Sequence, residues 1–190
     1  MRNIAIFASG SGTNAEAIFE YFNSKNLFPV KLILSNNSRA YVLERAKKLG
    51  ILYKVFDRKE LFETSLVMDI LEQEKIDFVV LAGFMWIVPQ NILSKYETRI
   101  VNIHPALLPK FGGKGMYGMH VHEAVINNGE KESGITIHYV NEEYDKGEII
   151  LQAKCKVEPD DTPESLAQKV HQLEHEHYPK VIENLITNDK

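Results

Sequence analysis

Asn3-Ile4-Ala5-Ile6-Phe7-Ala8-Ser9-Gly10-Ser11-Gly12-Thr13-Asn14 is the stretch that decides the fold. Residues 3–8 form an apolar run of strand length, and the polar loop 9–14 follows without a break. A helical stretch then runs from Asn14 to Phe22, with Ile18, Phe19 and Phe22 on one stripe. Strand, glycine loop and helix in this order open an α/β domain whose loop can cradle a phosphate.

Outward from this stretch the alternation repeats. Apolar runs at Ile4–Phe7, Val30–Leu34, Leu52–Phe56, Phe78–Leu81 and Ile100–Ile103 have the continuity of parallel strands buried on both faces. Helical stretches lie between them. Val42–Leu49 carries Val42, Leu43, Ala46 and Leu49 and stops at Gly50; Leu61–Lys75 carries Leu66, Ile70 and Leu71. The pattern predicts an α/β fold: a doubly wound, mostly parallel, Rossmann-like sheet with antiparallel strands in the C-terminal half. Those last strands are Gly134–Val140 and Glu148–Val157, two alternating runs around the polar loop 141–147. Thr162 reads as the N-cap and Pro163 as the first residue of a final helix toward Leu185. Its buried stripe is expected to be Leu166, Val170, Leu173 and Val181. Four glycines within residues 112–118 predict a mobile loop.

Length and composition narrow the classes. A chain of 190 residues is expected to form one domain with a large core. The net charge of −4 gives no general attraction to nucleic acid or to an anionic membrane, so an anionic ligand must be held by local geometry. The one cysteine, Cys155, lies in an alternating run and reads as a packed strand residue; it cannot form an internal disulfide. No apolar segment precedes the first strand, and no apolar run approaches ~20 residues. A cytoplasmic protein is expected.

Gly10-Ser11-Gly12-Thr13-Asn14-Ala15 fits the dinucleotide fingerprint G-x-G-x-x-A. The acidic partner expected about 20 positions later is missing, since the second strand ends Leu34-Ser35-Asn36-Asn37. A monophosphate therefore suits the loop better than a dinucleotide. Gly12 lets the backbone approach, Thr13 and Asn14 add donors, and the helix N-terminus favours an anion. The alternative is a tight glycine turn with no ligand. Nucleophile-elbow and Walker patterns both fail, because position 9 is Ser and no Ser or Thr follows Lys114.

Asn102 and His104 lie two apart on a strand and so face one side, at the carboxyl end of the sheet where ligands bind. Pro105 and Pro109 stiffen the connection that follows. Asp145 sits in a polar turn before Gly147, a place where aspartates are usually turn formers, and Glu142 and Glu143 read as a solvated face. His120 and His122, and then His171, His175 and His177, cluster in sequence, but no acidic or cysteine ligand completes a set, so no metal is expected.

Taken in order, five features resemble the folate-dependent formyltransferases. They are Gly-Ser-Gly-Thr-Asn after the first strand, Val80-Leu81-Ala82-Gly83-Phe84-Met85, Asn102-Ile103-His104-Pro105-Ala106-Leu107-Leu108-Pro109, His138 in Thr136-Ile137-His138, and Asp145. The phosphate loop narrows the resemblance to the phosphoribosylglycinamide formyltransferase family, from about Asn3 to about Asn184. The resemblance implies that the amine of glycinamide ribonucleotide (GAR) attacks the formyl carbon of 10-formyltetrahydrofolate. Formyl-GAR and tetrahydrofolate result, in de novo purine biosynthesis. The nucleophile then belongs to the substrate, in agreement with a chain that offers no activated Ser or Cys.

By the same resemblance Asn102 donates to the oxyanion, and His104 stabilises it and gives a proton. Asp145 favours the imidazolium and positions a relay water. Ser11, Gly12, Thr13 and Asn14 hold the phosphate, and Glu174 holds the ribose hydroxyls. Phe84, Met85, Trp86, Ile87, Val88, Asn102, Val140 and Asn141 line the folate pocket, with His138 behind the site. 10-Formyltetrahydrofolate is a co-substrate, no metal is implied, and the partners are two small molecules. The protein is expected to be a monomer or homodimer.

Residues 1–190 are expected to be one formyltransferase domain, with 1–100 holding the ribonucleotide and 101–190 carrying catalysis and folate. That leaves no room for the C-terminal domain of methionyl-tRNA formyltransferases or the N-terminal domain of formyltetrahydrofolate hydrolases. Three departures stand out. Trp86 occupies a position where relatives often have Arg, and an indole cannot copy a guanidinium hydrogen bond. The glycine-rich stretch 111–119 is longer than expected. The phosphate-binding Arg of relatives has only a loose match in Arg58.

Overall fold

The computed structural model describes residues 2–188. Its first half contains β1 (Asn3–Phe7), α1 (Thr13–Ser24), β2 (Val30–Ser35), α2 (Val42–Leu49), β3 (Leu52–Val55), α3 (Arg58–Phe62), α4 (Leu66–Gln73) and β4 (Ile76–Leu81). The second half contains α5 (Gln90–Lys95), β5 (Ile100–His104), α6 (Met119–Asn127), β6 (Glu132–Tyr139), β7 (Ile149–Lys156) and α7 (Pro163–Asn188).

All seven strands join one sheet in the order β3-β2-β1-β4-β5-β6-β7. The first five are parallel; β6 runs antiparallel to β5, and β7 antiparallel to β6. This is the doubly wound, mostly parallel architecture that the alternating pattern predicts. Successive residues of β1 point to opposite faces. Ile4 and Ile6 join a core with Ile18, Phe22, Val170, Tyr178 and Ile182, under α1 and α7. Ala5 and Phe7 join the opposite core with Phe56, Leu71, Ile92 and Tyr96. The chain proceeds outward from β1 to β3 and then returns to β4 on the other side of β1. The carboxyl ends of β1 and β4 therefore flank a switch point, where loops diverge and leave a crevice.

Some expectations need correction. β3 is not buried on both faces: it is an edge strand, with Leu52 and Val55 41% and 42% exposed. Leu61–Lys75 is not one helix. Asp57 caps α3 through a reciprocal box with Glu60, in which the Glu60 N–H donates to Asp57 and the Asp57 N–H to Glu60. The chain then restarts at α4, where the Leu66 N–H donates to the Thr64 hydroxyl and the Ser65 hydroxyl to Asp69. Val67 and Leu71 are the buried residues of α4, while Leu66 is exposed and Ile70 half-buried. On α7 Leu173 is only half-buried, but Thr162 caps as expected, accepting from the Ser165 N–H at 3.2 Å. Among the described residues no helix is long and apolar enough to cross a membrane.

Candidate active site

The phosphate-type loop is built from both directions. Gly12 has φ +76°, in the left-handed region, and a Cβ there would lie 2.4 Å from Val42 Cγ2. Glycine is thus required twice, for backbone freedom and for contact. The Ser9 N–H donates to the Gly83 carbonyl at 3.0 Å, and the Ser9 hydroxyl accepts from the Met85 N–H at 3.0 Å. These bonds tie the loop after β1 to the loop after β4. Asn14, on the first turn of α1, donates through Nδ2 to Glu174 Oε2 at 2.9 Å, across 160 residues of sequence. Glu174 is buried on α7, and burial pushes its carboxyl above the ordinary range despite the Asn14 bond.

A second polar cluster sits at the end of β5. His104 is 4% exposed. Its Nε2 lies 2.7 Å from the Phe111 carbonyl, which can only accept, so Nε2 carries a proton. Its Nδ1 lies 3.5 Å from Asp145 Oδ2. His138 Nδ1 donates to the Tyr139 carbonyl at 2.7 Å, which leaves Nε2 as an acceptor for Asn102 Nδ2 at 3.1 Å. The same Asn102 nitrogen is 3.4 Å from Asp145 Oδ1. Asp145 Oδ2 also accepts from the Gly113 N–H at 2.9 Å. The glycine-rich stretch expected to be mobile is therefore anchored at its start, by His104 through Phe111 and by Asp145 through Gly113.

Electrostatics in this cluster oppose one another. Burial pulls the His104 imidazole below its usual range, and Asp145, which acts in the expected upward direction, does not outweigh it. The resting ring is therefore neutral near pH 7. Burial pushes the Asp145 carboxyl up, but its polar surroundings, the Gly113 N–H among them, hold it below the ordinary range, so it is ionised.

Both assemblies open on one cavity of about 630 Å³. Ser11, Gly12, Thr13, Asn14, Glu174, Phe84, Met85, Asn102, His104 and Asp145 all line it. His138 is buried behind it. Five residues that the resemblance assigns to the folate pocket do not line this cavity. Trp86 packs against Phe56, Phe62 and Phe84, Val88 is in the core, and Val140 packs on that same core. Ile87 and Asn141 are half-buried outside the lining. Arg58 stacks on Phe62 at 4.9 Å and Trp86 at 5.9 Å, away from the phosphate-type loop.

The cavity also recruits His122 and His171, which sequence reasoning left as an incomplete cluster. His122 is buried on α6, its Nδ1 has no hydrogen-bond partner among the described residues, and burial pulls its pKa down to about 4. Histidine spacing alone carries no sign of which helices will wall a cavity. Among the described residues no group of three His, Cys, Asp or Glu side chains is arranged to hold a metal ion.

Residues 2–182 match the formyl transferase family. The chain is 39% identical to the phosphoribosylglycinamide formyltransferase of Haemophilus influenzae, over 96% of this chain and 86% of that one. It is 40% identical to the chloroplastic phosphoribosylglycinamide formyltransferase of Arabidopsis thaliana, over 95% of this chain and 64% of that protein. It thus spans less than two thirds of that plant relative. Among solved structures, the phosphoribosylglycinamide formyltransferase of Streptococcus pneumoniae superposes with a TM-score of 0.86 at 42% identity, covering 98% of this chain and 99% of that one. The corresponding protein of Bacillus halodurans gives 0.88 at 40%, covering 100% and 97%.

Proposed function

The chain belongs to the formyl transferase family, and from that premise we propose that it moves the formyl group of 10-formyltetrahydrofolate to the amine of GAR. The observation that carries the reading is one cavity of about 630 Å³ that the phosphate-type loop and the Asn102–His104–Asp145 cluster both line. The reaction belongs to de novo purine biosynthesis in the cytoplasm.

At the loop end, backbone N–H groups and the α1 N-terminus receive the phosphate. Asn14 adds a donor there, and Glu174, which accepts from Asn14, receives the ribose hydroxyls, so residues 1–100 share this end with a residue of the second half. Phe84 and the exposed Met85 give an apolar wall suited to a flat pterin.

In the reaction the substrate amine attacks the formyl carbon, forming the new C–N bond and placing negative charge on the formyl oxygen. Collapse breaks the bond to folate N10, and the proton lost by the amine ends on that nitrogen. His104, neutral at rest, accepts a proton and returns it, and the ionised Asp145 stabilises the imidazolium between those events. Asn102 donates to the oxyanion. Its amide nitrogen faces His138 and Asp145 at rest, so the oxyanion competes for the N–H at the longer, 3.4 Å, Asp145 contact.

The test is formyl transfer by purified protein with both substrates, following tetrahydrofolate release, against a matched sample without the ribonucleotide. Release that requires the ribonucleotide is expected. Release without it would make the protein a hydrolase, and no release in either sample would remove the assignment.

A further inference from the structure

We propose that Arg45 on α2 is a positioning residue that sets the phosphate loop for its ligand, governing affinity for the phosphorylated substrate without acting in the transfer step. This rests on reading the cavity as a ribonucleotide site.

One turn of α2 grips three consecutive residues of the loop. The Val42 N–H donates to the Gly10 carbonyl at 3.1 Å. Val42 Cγ2 fills the space where a Gly12 Cβ would stand, at 2.4 Å. Arg45 Nε–H donates to the Ser11 carbonyl at 2.9 Å. Val42 and Arg45 are three apart on the helix and so reach out from one face. A second nitrogen is also engaged: Nη1 pairs with the Glu16 carboxylate on the first turn of α1, and the Tyr41 ring lies 5.1 Å from the guanidinium carbon.

Two consequences follow. In a planar trans peptide the C=O and the next N–H point in opposite directions. By holding the Ser11 carbonyl outward, Arg45 turns the Gly12 N–H the other way. Gly12, at φ +76°, is free to let that peptide flip, and a flip would aim a carbonyl at the anion in place of a donor. Second, Glu16 places a negative charge on the same helix turn that must accept a phosphate, and Arg45 neutralises it. Only a planar fork serves both acceptors at once; a lysine ammonium reaches one well.

Three variants test this: Arg45→Gln, Arg45→Lys and Arg45→Gln with Glu16→Gln. Each is assayed with both substrates varied, and each is titrated with inorganic phosphate. Arg45→Gln should raise the KM for GAR and the Kd for phosphate about tenfold or more, the scale of a charge-assisted bond. Its kcat and its KM for the folate should stay within about twofold. Arg45→Lys should recover part of the loss. The double variant should stay impaired, because the Ser11 carbonyl is still unheld.

Unchanged KM and Kd in Arg45→Gln would overturn the proposal. So would an equal rise for both substrates, which marks general loosening, or full recovery in the double variant, which would reduce Arg45 to a counter-charge. The phosphate titration is independent of turnover. A wild type that binds phosphate through Arg45 but transfers no formyl group would sink the functional reading and leave this one standing.

Discussion

Replacing Asp145 by Asn removes one negative charge from the centre of the polar cluster while keeping an oxygen to accept from Gly113. The carboxylate lies 3.5 Å from His104 Nδ1, and its side chain is 11% exposed. At an effective dielectric of about 20, two unit charges at that distance attract by roughly 4–5 kcal/mol, an upper bound here because the wild-type pair is charged only during proton transfer. Water at the cavity mouth and the retained amide dipole reduce the loss to about 3–4 kcal/mol, or roughly 10²–10³-fold in kcat. The KM for GAR should change only a few-fold, because the phosphate loop does not touch Asp145. The acidic shift of His104 should deepen, since burial still lowers its pKa while the charge that most raises it is gone and only the Phe111 carbonyl still acts upward. Steady-state tetrahydrofolate release from pH 5 to 9, with thermal unfolding of the variant alongside, measures all of this. A kcat within tenfold of wild type in a folded variant would refute the assigned role of Asp145.

Three further outcomes are expected. Gly12→Ala should destabilise the protein by more than about 1 kcal/mol in urea unfolding and weaken ribonucleotide binding, because the new Cβ collides with Val42 at a left-handed backbone position. Tyr178→Phe should cost about 1–2 kcal/mol in the same measurement, since the hydroxyl at 2.9 Å from the Leu81 carbonyl and 3.2 Å from that of Val101 pins α7 to the sheet. His122 has a folded pKa of about 4 against an ordinary value near 6.5, so the folded state binds fewer protons between these limits. Stability should therefore fall as pH drops below about 6.5 and level off below about 4, and His122→Gln should flatten that slope, with His104 contributing in the same direction; denaturation midpoints at pH 7 and 5 decide it.

Local grammar made much of the molecule legible. Continuous apolar runs such as Val30–Leu34 announced buried parallel strands, and Ser9–Asn14 announced a tight glycine turn from strand to helix, because strand period and glycine freedom act over a few residues. The Asn102–His104 spacing placed two polar groups on one side of a strand for the same reason. Other features lay outside that range. Whether Leu61–Lys75 is one helix or two turned on the capping box at Asp57 and on local side-chain hydrogen bonds of Thr64 and Ser65 that compete with a weak periodicity. Nothing in the sequence singles out Arg45; the packing of α2 on the loop gives its fork two acceptors. Glu174 meets Asn14 across 160 residues only because α7 crosses α1, and Asp145 meets His104 only because its turn folds back over the end of β5. Sequence by itself thus determined the strand–loop–helix alternation and the chemistry available at each strand end. Tertiary structure decided which of those groups share one cavity, because contacts between distant residues are set by how whole elements pack and not by any period along the chain.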